Sequence, residues 1–183
     1  AERGGMGGNT SNLRPEEIDE LQAETNFSRA EIVRLYRRFQ RLDREGFGTI
    51  STDAFLSIPE LSMNPLVMRV IGVFDTNGDD NVNFRQFVTT LSAFSRNADP
   101  EEKMRFVYRV FDMSHSGKIT AADIAQVLKM MVGQNVISSK DMDRIAQATV
   151  AEADEDGDGE LSFEDFRGVL QNVAWKSKLS IDF

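Results

Sequence analysis

Apolar residues recur at helical spacing in a series of short stretches, and most of these stretches run into or out of a polar segment carrying acidic residues and glycine. Ser28 and Glu31 make a capping-box pattern ahead of Ile32, Leu35, Tyr36, Phe39 and Leu42, which share one helical face. Leu66, Val67, Val70, Ile71 and Phe74 repeat the spacing, with Asn64 as the predicted cap and Pro65 at the first helical position, where a missing N–H goes unnoticed. Phe84, Phe87, Val88, Leu91 and Phe94 form the next stripe. Asp99 and Pro100 open a helix that carries Val107, Val110 and Phe111; Ile124, Val127, Leu128 and Met131 line a helix from Ala122 to Met131, which Gly133-Gln134-Asn135 ends. Ser138 and Asp141 cap a run through Met142, Ile145, Ala146, Thr149, Val150 and Ala153, and Phe163, Phe166, Val169, Leu170 and Val173 line the last helix. A short acidic helix is predicted from Pro15 to Glu24, and an alternating tail of Leu179, Ile181 and Phe183 is expected to cover apolar surface. The chain reads as all-α.

The segments between the stripes carry the chemistry. Asp154 to Asp165, DEDGDGELSFED, sets oxygen-bearing side chains at positions one, three, five and twelve and a glycine at position six, the spacing of a twelve-residue calcium loop. Asp154, Asp156 and Asp158 converge on one hard cation if the backbone bends at Gly159; Glu160 adds its carbonyl, and Ser162 acts directly or through water. Asp165 closes the loop where a glutamate would reach further, which predicts weaker calcium binding and better tolerance of magnesium. Leu161, at position eight, is expected in a short strand paired with the equivalent residue of a neighbouring loop.

Three more segments keep this outline with losses. In Asp112 to Asp123, DMSHSGKITAAD, Asp112, Ser114, Ser116, the carbonyl of Lys118 and Asp123 fill the ligand positions, but only Asp112 and Asp123 bring charge. Asp75 to Gln86, DTNGDDNVNFRQ, offers Asp75, Asn77, Asp79 and the carbonyl of Asn81, with Asn83 at position nine; Asp80 stands where glycine makes the turn and neutral Gln86 stands at the close. Asp43 to Ala54, DREGFGTISTDA, has Phe47 at position five and Ala54 at twelve, so its shape is expected to survive without its metal. Expected occupancy therefore falls from the fourth loop to the third, the second and the first, with magnesium as an alternative ion.

Ile50, Val82, Ile119 and Leu161 share position eight, which makes the four segments an internal repeat. A single helix-loop-helix leaves its strand and apolar face uncovered, so the repeats should pair into two lobes, each with a short antiparallel β link. Ser95 to Pro100 is the natural boundary, giving a flexible N-terminal segment with a short helix at 1–27, a first pair at 28–96, a second at 97–174 and a tail at 175–183.

Composition narrows the function. The chain has 183 residues, 40% of them hydrophobic, 13 of them Phe, which is enough for a substantial core or two small ones. Its 21 basic and 30 acidic side chains give a net charge of −9, which argues against nucleic acid as the main partner. The lack of Cys removes disulfide and thiol chemistry. No apolar run reaches about eighteen residues, and the reading is a cytoplasmic protein. No nucleophile–base arrangement stands out, and the lone His115 falls at a solvent-facing, non-ligand position of the third loop, so the carboxylates speak for binding rather than catalysis. Met6-Gly7-Gly8-Asn9-Thr10-Ser11 has the spacing of an N-myristoylation signal with Gly7 as acceptor once Met6 is removed; one such chain supports only weak peripheral membrane contact.

Phe55-Leu56-Ser57-Ile58-Pro59-Glu60-Leu61, Asn64-Pro65-Leu66-Val67 and Val127-Leu128-Lys129-Met130-Met131-Val132-Gly133, with Phe74-Asp75-Thr76 and Phe111-Asp112-Met113, resemble the calcineurin B family of EF-hand proteins over Ser28 to Phe183. The resemblance implies four EF-hands in two paired lobes and a non-catalytic, calcium-binding regulatory subunit of a calcium- and calmodulin-dependent serine/threonine protein phosphatase. It implies that the lobes bind and stabilise the calcineurin catalytic subunit, calcineurin A, by burying its long amphipathic helix in an apolar groove, for which Met- and Phe-rich surfaces are suited. It further implies that Leu128, Met131, Val132 and Asn135 join a composite surface used by docking-motif substrates and immunophilin–drug complexes, and that Gly7 carries a myristoyl group. The family generally keeps four complete loops, and the departures at Phe47, Ala54, Asp80, Gln86, Ser114 and Ser116 point to a reduced or redistributed calcium response. The alternatives are a free-standing EF-hand calcium sensor and a largely metal-independent structural light chain.

Overall fold

In a computed structural model of the chain, residues 13–58, 62–95, 97–132 and 136–171 are described. Their elements run α1 (Pro15–Glu24), α2 (Arg29–Leu42), β1 (Thr49–Ser51), α3 (Thr52–Leu56), α4 (Val67–Phe74), β2 (Asn81–Asn83), α5 (Phe84–Ser92), α6 (Pro100–Phe111), α7 (Ala121–Val132), α8 (Ser139–Ala153) and α9 (Phe163–Gln171).

The helices start where side chains satisfy their free N–H groups. The Ser28 hydroxyl accepts from the Glu31 N–H while Glu31 Oε2 accepts from the Ser28 N–H at 2.8 Å, which closes the box that starts α2. Asp99 accepts from the Glu101 N–H at 2.9 Å with Pro100 in the first turn of α6, and Ser138 accepts from the Asp141 N–H at 3.1 Å ahead of α8. One start is displaced. Asn64 Oδ1 accepts from the Leu66 N–H at 2.9 Å and its carbonyl from the Val67 N–H at 3.0 Å, so Asn64-Pro65 closes a separate turn and α4 begins only at Val67.

The loops pair as the shared position eight predicts. β1 and β2 are antiparallel, with Ile50 opposite Val82. In the second pair the link is a single bridge in which Ile119 and Leu161 exchange N–H···O bonds of 2.9 and 2.8 Å. All four of these residues are buried, because the link lies at the base of each pair's core.

Two apolar clusters result. The first gathers Ile32, Leu35, Phe39, Phe55, Phe74, Phe87 and their neighbours, with Phe39 edge-on to Phe84 and Phe87 at ring-centroid distances of 5.3 and 5.6 Å. Truncating a ring as buried as Phe39 to alanine costs about 3–5 kcal/mol. The second gathers Tyr108, Ile119, Ile124, Ala146, Val150, Leu161 and Phe166. Helix α6 serves both: Phe106 and Val110, one turn apart, join the first cluster, where Phe94 and Phe106 stand 4.6 Å apart, whereas Tyr108 points into the second, 5.4 Å from Phe166. Helix α1 is held to the first cluster by buried Ile18 and Leu21. Arg85 also pairs with Glu20 and Glu24, but these groups are about half exposed, so burial rather than charge anchors the helix.

Candidate metal centre

All four loops share one backbone frame. The carboxylate at position one accepts the N–H at position six in each: Asp43 from Gly48 at 2.8 Å, Asp75 from Asp80 at 2.8 Å, Asp112 from Gly117 at 2.9 Å and Asp154 from Gly159 at 2.7 Å. This closure needs left-handed backbone at positions four and six. Glycine supplies it everywhere except at Asp80, with φ of 60°, and His115, with φ of 55°. Asp80 thus makes the turn expected of a glycine, and His115 occupies a strained, exposed turn position.

In the fourth loop, Asp154, Asp156 and Asp158 each bring a carboxylate oxygen to within 4.8 Å of the others. Three like charges so close repel one another unless a cation stands among them. The closing Asp165 is buried; its Oδ2 accepts from the Ser162 N–H at 2.8 Å and from the Ser162 hydroxyl at 2.5 Å, and its Oδ1 accepts from the Glu155 N–H at 3.1 Å. The Ser162 hydroxyl is the chief reason the Asp165 carboxyl lies below the usual carboxylate range; burial pushes the other way, and the Ser162 and Glu155 N–H groups add to the lowering. Asp158 is lowered mainly by Lys118, whose ammonium reaches it from the third loop and is itself raised by the contact.

The third loop brings together the two carboxylates expected of it. Asp112 and Asp123 are both buried, and Asp123 accepts from the Ser114 N–H at 3.0 Å and from the Thr120 N–H and hydroxyl at 2.8 and 2.7 Å. Asp112 also accepts from the Ser116 N–H at 3.0 Å, whereas the Ser116 hydroxyl is turned away, donating to the Lys118 carbonyl at 2.8 Å.

The second loop is closed by other means. Gln86 Oε1 accepts from the Asn83 N–H at 2.8 Å and its Nε2 donates to the Thr76 hydroxyl at 2.9 Å, so a neutral amide ties the end of the second loop to its beginning. Asp79 accepts from the Asn81 N–H at 3.1 Å, and the Asn81 amide donates to the Asp79 carbonyl at 2.8 Å. In the first loop Phe47 is 75% exposed at the fifth position, and Ala54 offers no ligand to close it.

These donors fit a hard divalent cation best in the fourth loop: all-oxygen, carboxylate-rich and already folded into a turn. Asp154, Asp156 and Asp158 converge there, with the Glu160 carbonyl at position seven and Asp165 at position twelve. The third loop supplies Asp112 and Asp123, and the second supplies Asp75, Asn77 and Asp79 without a closing charge. Leu128 and Val132 are half-buried on α7 and Met131 is 55% exposed beside them. Asn135, Gly7 and the tail from Trp175 to Phe183 lie outside the described residues.

Sequence reasoning missed three contacts at the site. The Tyr108 hydroxyl lies 2.9 Å from the Gly117 carbonyl and 2.8 Å from the Leu161 carbonyl, at the junction of the third and fourth loops. The other two are the Gln86–Thr76 closure and the Lys118–Asp158 pair. Only the last had a signal: Lys118 and Glu160 share position seven of two loops expected to run antiparallel.

Helix-loop-helix units joined in pairs through their loop backbones, two pairs to a chain, define a protein of the EF-hand class. A family model described as an EF-hand domain pair matches residues 101–171. The chain belongs to the calcineurin B family. It is 49% identical over 176 residues to the calcineurin B subunit of Naegleria gruberi, covering 96% of this chain and 99% of that protein. The type 2 calcineurin B subunit of Dictyostelium discoideum is 45% identical over 97% of this chain and 98% of its own length, and type 1 of the same organism is 41% identical over 97% and 99%. No helix among the described residues is long and apolar enough to cross a membrane.

Proposed function

We propose that this chain is the calcium-binding, non-catalytic regulatory subunit of a calcineurin-type serine/threonine protein phosphatase, and that it binds and stabilises the catalytic subunit. The observation that carries this reading is near-end-to-end identity with calcineurin B subunits, at 49% for the Naegleria gruberi protein. The two lobes, at 28–96 and 97–174, lie along an amphipathic helix of the catalytic subunit, with Leu128, Met131, Val132 and Asn135 contributing to a composite surface for docking-motif substrates and immunophilin–drug complexes. Gly7 is the proposed myristoyl acceptor in a chain that starts at Met6, giving a cytoplasmic protein with peripheral membrane contact.

The fourth loop is the primary calcium site, held by Asp154, Asp156, Asp158, the Glu160 carbonyl and Asp165. The third follows through Asp112, Ser114, Ser116, the Lys118 carbonyl and Asp123. The second, with Asp75, Asn77, Asp79 and the Asn81 carbonyl, binds weakly, and the first keeps its shape without a metal. The cation supplies charge neutralisation and a fixed loop; magnesium is tolerated because both closing residues of the second lobe are aspartates.

Pull-down of the full chain from native lysate with and without chelator tests the reading. Recovery of a phosphatase catalytic chain in both conditions is expected; strictly calcium-dependent recovery of varied targets would point instead to a free-standing sensor. Calcium titration of Asp154→Ala tests the site, and unchanged binding refutes it.

A further inference from the structure

Lys118 and Glu160 stand at the same position of two loops whose backbones the Ile119–Leu161 bridge holds side by side. Across that link the Lys118 ammonium pairs with Asp158 Oδ2 and lies 4.0 Å from Glu160 Oε2. Asp158 Oδ1 accepts from the Glu160 N–H at 2.9 Å, so both oxygens of this carboxylate are engaged, one of them by a cation that belongs to the protein. The same Asp158 is one of the three carboxylates that converge in the fourth loop.

We propose that Lys118 is a built-in competitor for the divalent cation of the fourth loop: its ammonium neutralises Asp158 in the cation-free state and is displaced when a metal takes that oxygen. The proposal rests on the assignment of the fourth loop as a divalent site. An ammonium and a divalent cation repel one another across a shared carboxylate, so filling the loop costs the Lys118–Asp158 bond. The third loop, with neutral Ser114 and Ser116, offers Lys118 no comparable partner from its own inner positions. The pair is partly exposed, with side-chain exposures of 40% and 36%, so the competition is modest and weakens with salt. Exchange of the ammonium for a metal also couples the loops, because occupying the fourth frees a side chain rooted in the third, next to the bridging Ile119.

The test is a calcium titration of the full chain followed at the Gly159 amide by NMR, a reporter within the fourth loop through its bond to Asp154. Lys118→Met and Lys118→Gln are expected to half-fill at about threefold lower calcium than the parent, with the gain shrinking as salt is raised. Lys118→Arg keeps the charge and stays with the parent, and Lys129→Met, which removes an exposed charge from α7, changes nothing. Equal or weaker calcium binding in both neutral variants, each checked for unchanged cation-free helicity, overturns the proposal. So does an equal gain in Lys129→Met, which would reduce the effect to net charge. A Gly159 signal indifferent to calcium in every variant overturns the metal assignment together with the proposal, whereas an equal response in parent and neutral variants overturns the proposal alone.

Discussion

Arg69 Nη2, on α4 of the first lobe, donates to the backbone carbonyl of Asp112 at 2.8 Å, and the same guanidinium reaches the carbonyls of Arg109 and Val110 at 3.2 and 3.3 Å. These carbonyls lie in and just past the last turn of α6, where a cation both adds a donor and opposes the helix dipole. Because Asp112 opens the third loop, α4 of the first pair holds the start of a loop in the second. Arg69→Met should lower stability by about 1–2 kcal/mol in urea unfolding of the full chain and speed amide exchange in the last turn of α6. A loss confined to α4 would deny the link.

Reach decides how tightly the fourth loop closes. Asp165 is held against Ser162 and Glu155, and one more methylene would carry its oxygens further into the loop. Asp165→Glu should tighten calcium about tenfold and sharpen discrimination against magnesium, as read by calorimetric titration with each ion. Equal gains for both ions would contradict the argument.

His115 stands in a backbone conformation that glycine adopts at the same position of the other three loops. Replacing it with glycine removes about 1–2 kcal/mol of left-handed strain and adds about 0.4–1 kcal/mol of unfolded-chain entropy, so His115→Gly should stabilise the chain slightly. Asp80→Gly should gain less, since the short aspartate side chain can hydrogen-bond locally in that conformation. Chemical denaturation of the two variants side by side gives the order.

Both tyrosines are raised from their ordinary value: Tyr36 by burial and then by Glu17, Tyr108 by burial and then by Asp112. A phenol whose folded pKa is raised favours the folded state fully below its unfolded pKa of about 10, and that contribution is lost as pH rises through the folded pKa. Phenolate absorbance should therefore appear later in the folded chain than in urea, and stability should fall in that alkaline window. Tyr108→Phe should remove part of the fall, and at neutral pH cost about 1 kcal/mol through the lost bond at the loop junction.

The first loop has the frame of the others but no ligand side chain at positions five and twelve. Restoring both carboxylates with Phe47→Asp and Ala54→Glu should create a divalent site, because Asp43 already accepts from Gly48 and the turn is in place. Phe47→Asp alone should not suffice, since position twelve supplies the bidentate ligand. Calcium titration of the single and double variants separates a retained frame from a collapsed one.

The caps at Ser28, Asp99 and Ser138 and the pairing of Ile50 with Val82 were legible because each depends on neighbours a few residues away or on a repeat seen four times over. The start of α4 was misread by two residues: Asn64 can cap a helix or close a turn with the same oxygen, and local spacing does not distinguish the two. The tie between Gln86 and Thr76 escaped notice because a neutral amide at position twelve reads only as a missing charge.

Sequence alone determined the twelve-residue frames and the residue types at each loop position, because oxygens spaced along a loop and apolar residues spaced along a helix are local facts. Tertiary structure decided which charges meet: Lys118 with Asp158, Arg69 with the end of α6, and α6 itself divided between two cores. Those contacts join residues about 40 positions apart in the chain. They exist only once the helices have packed, since Coulombic attraction and hydrogen bonding act over a few ångströms of space and are blind to distance along the sequence.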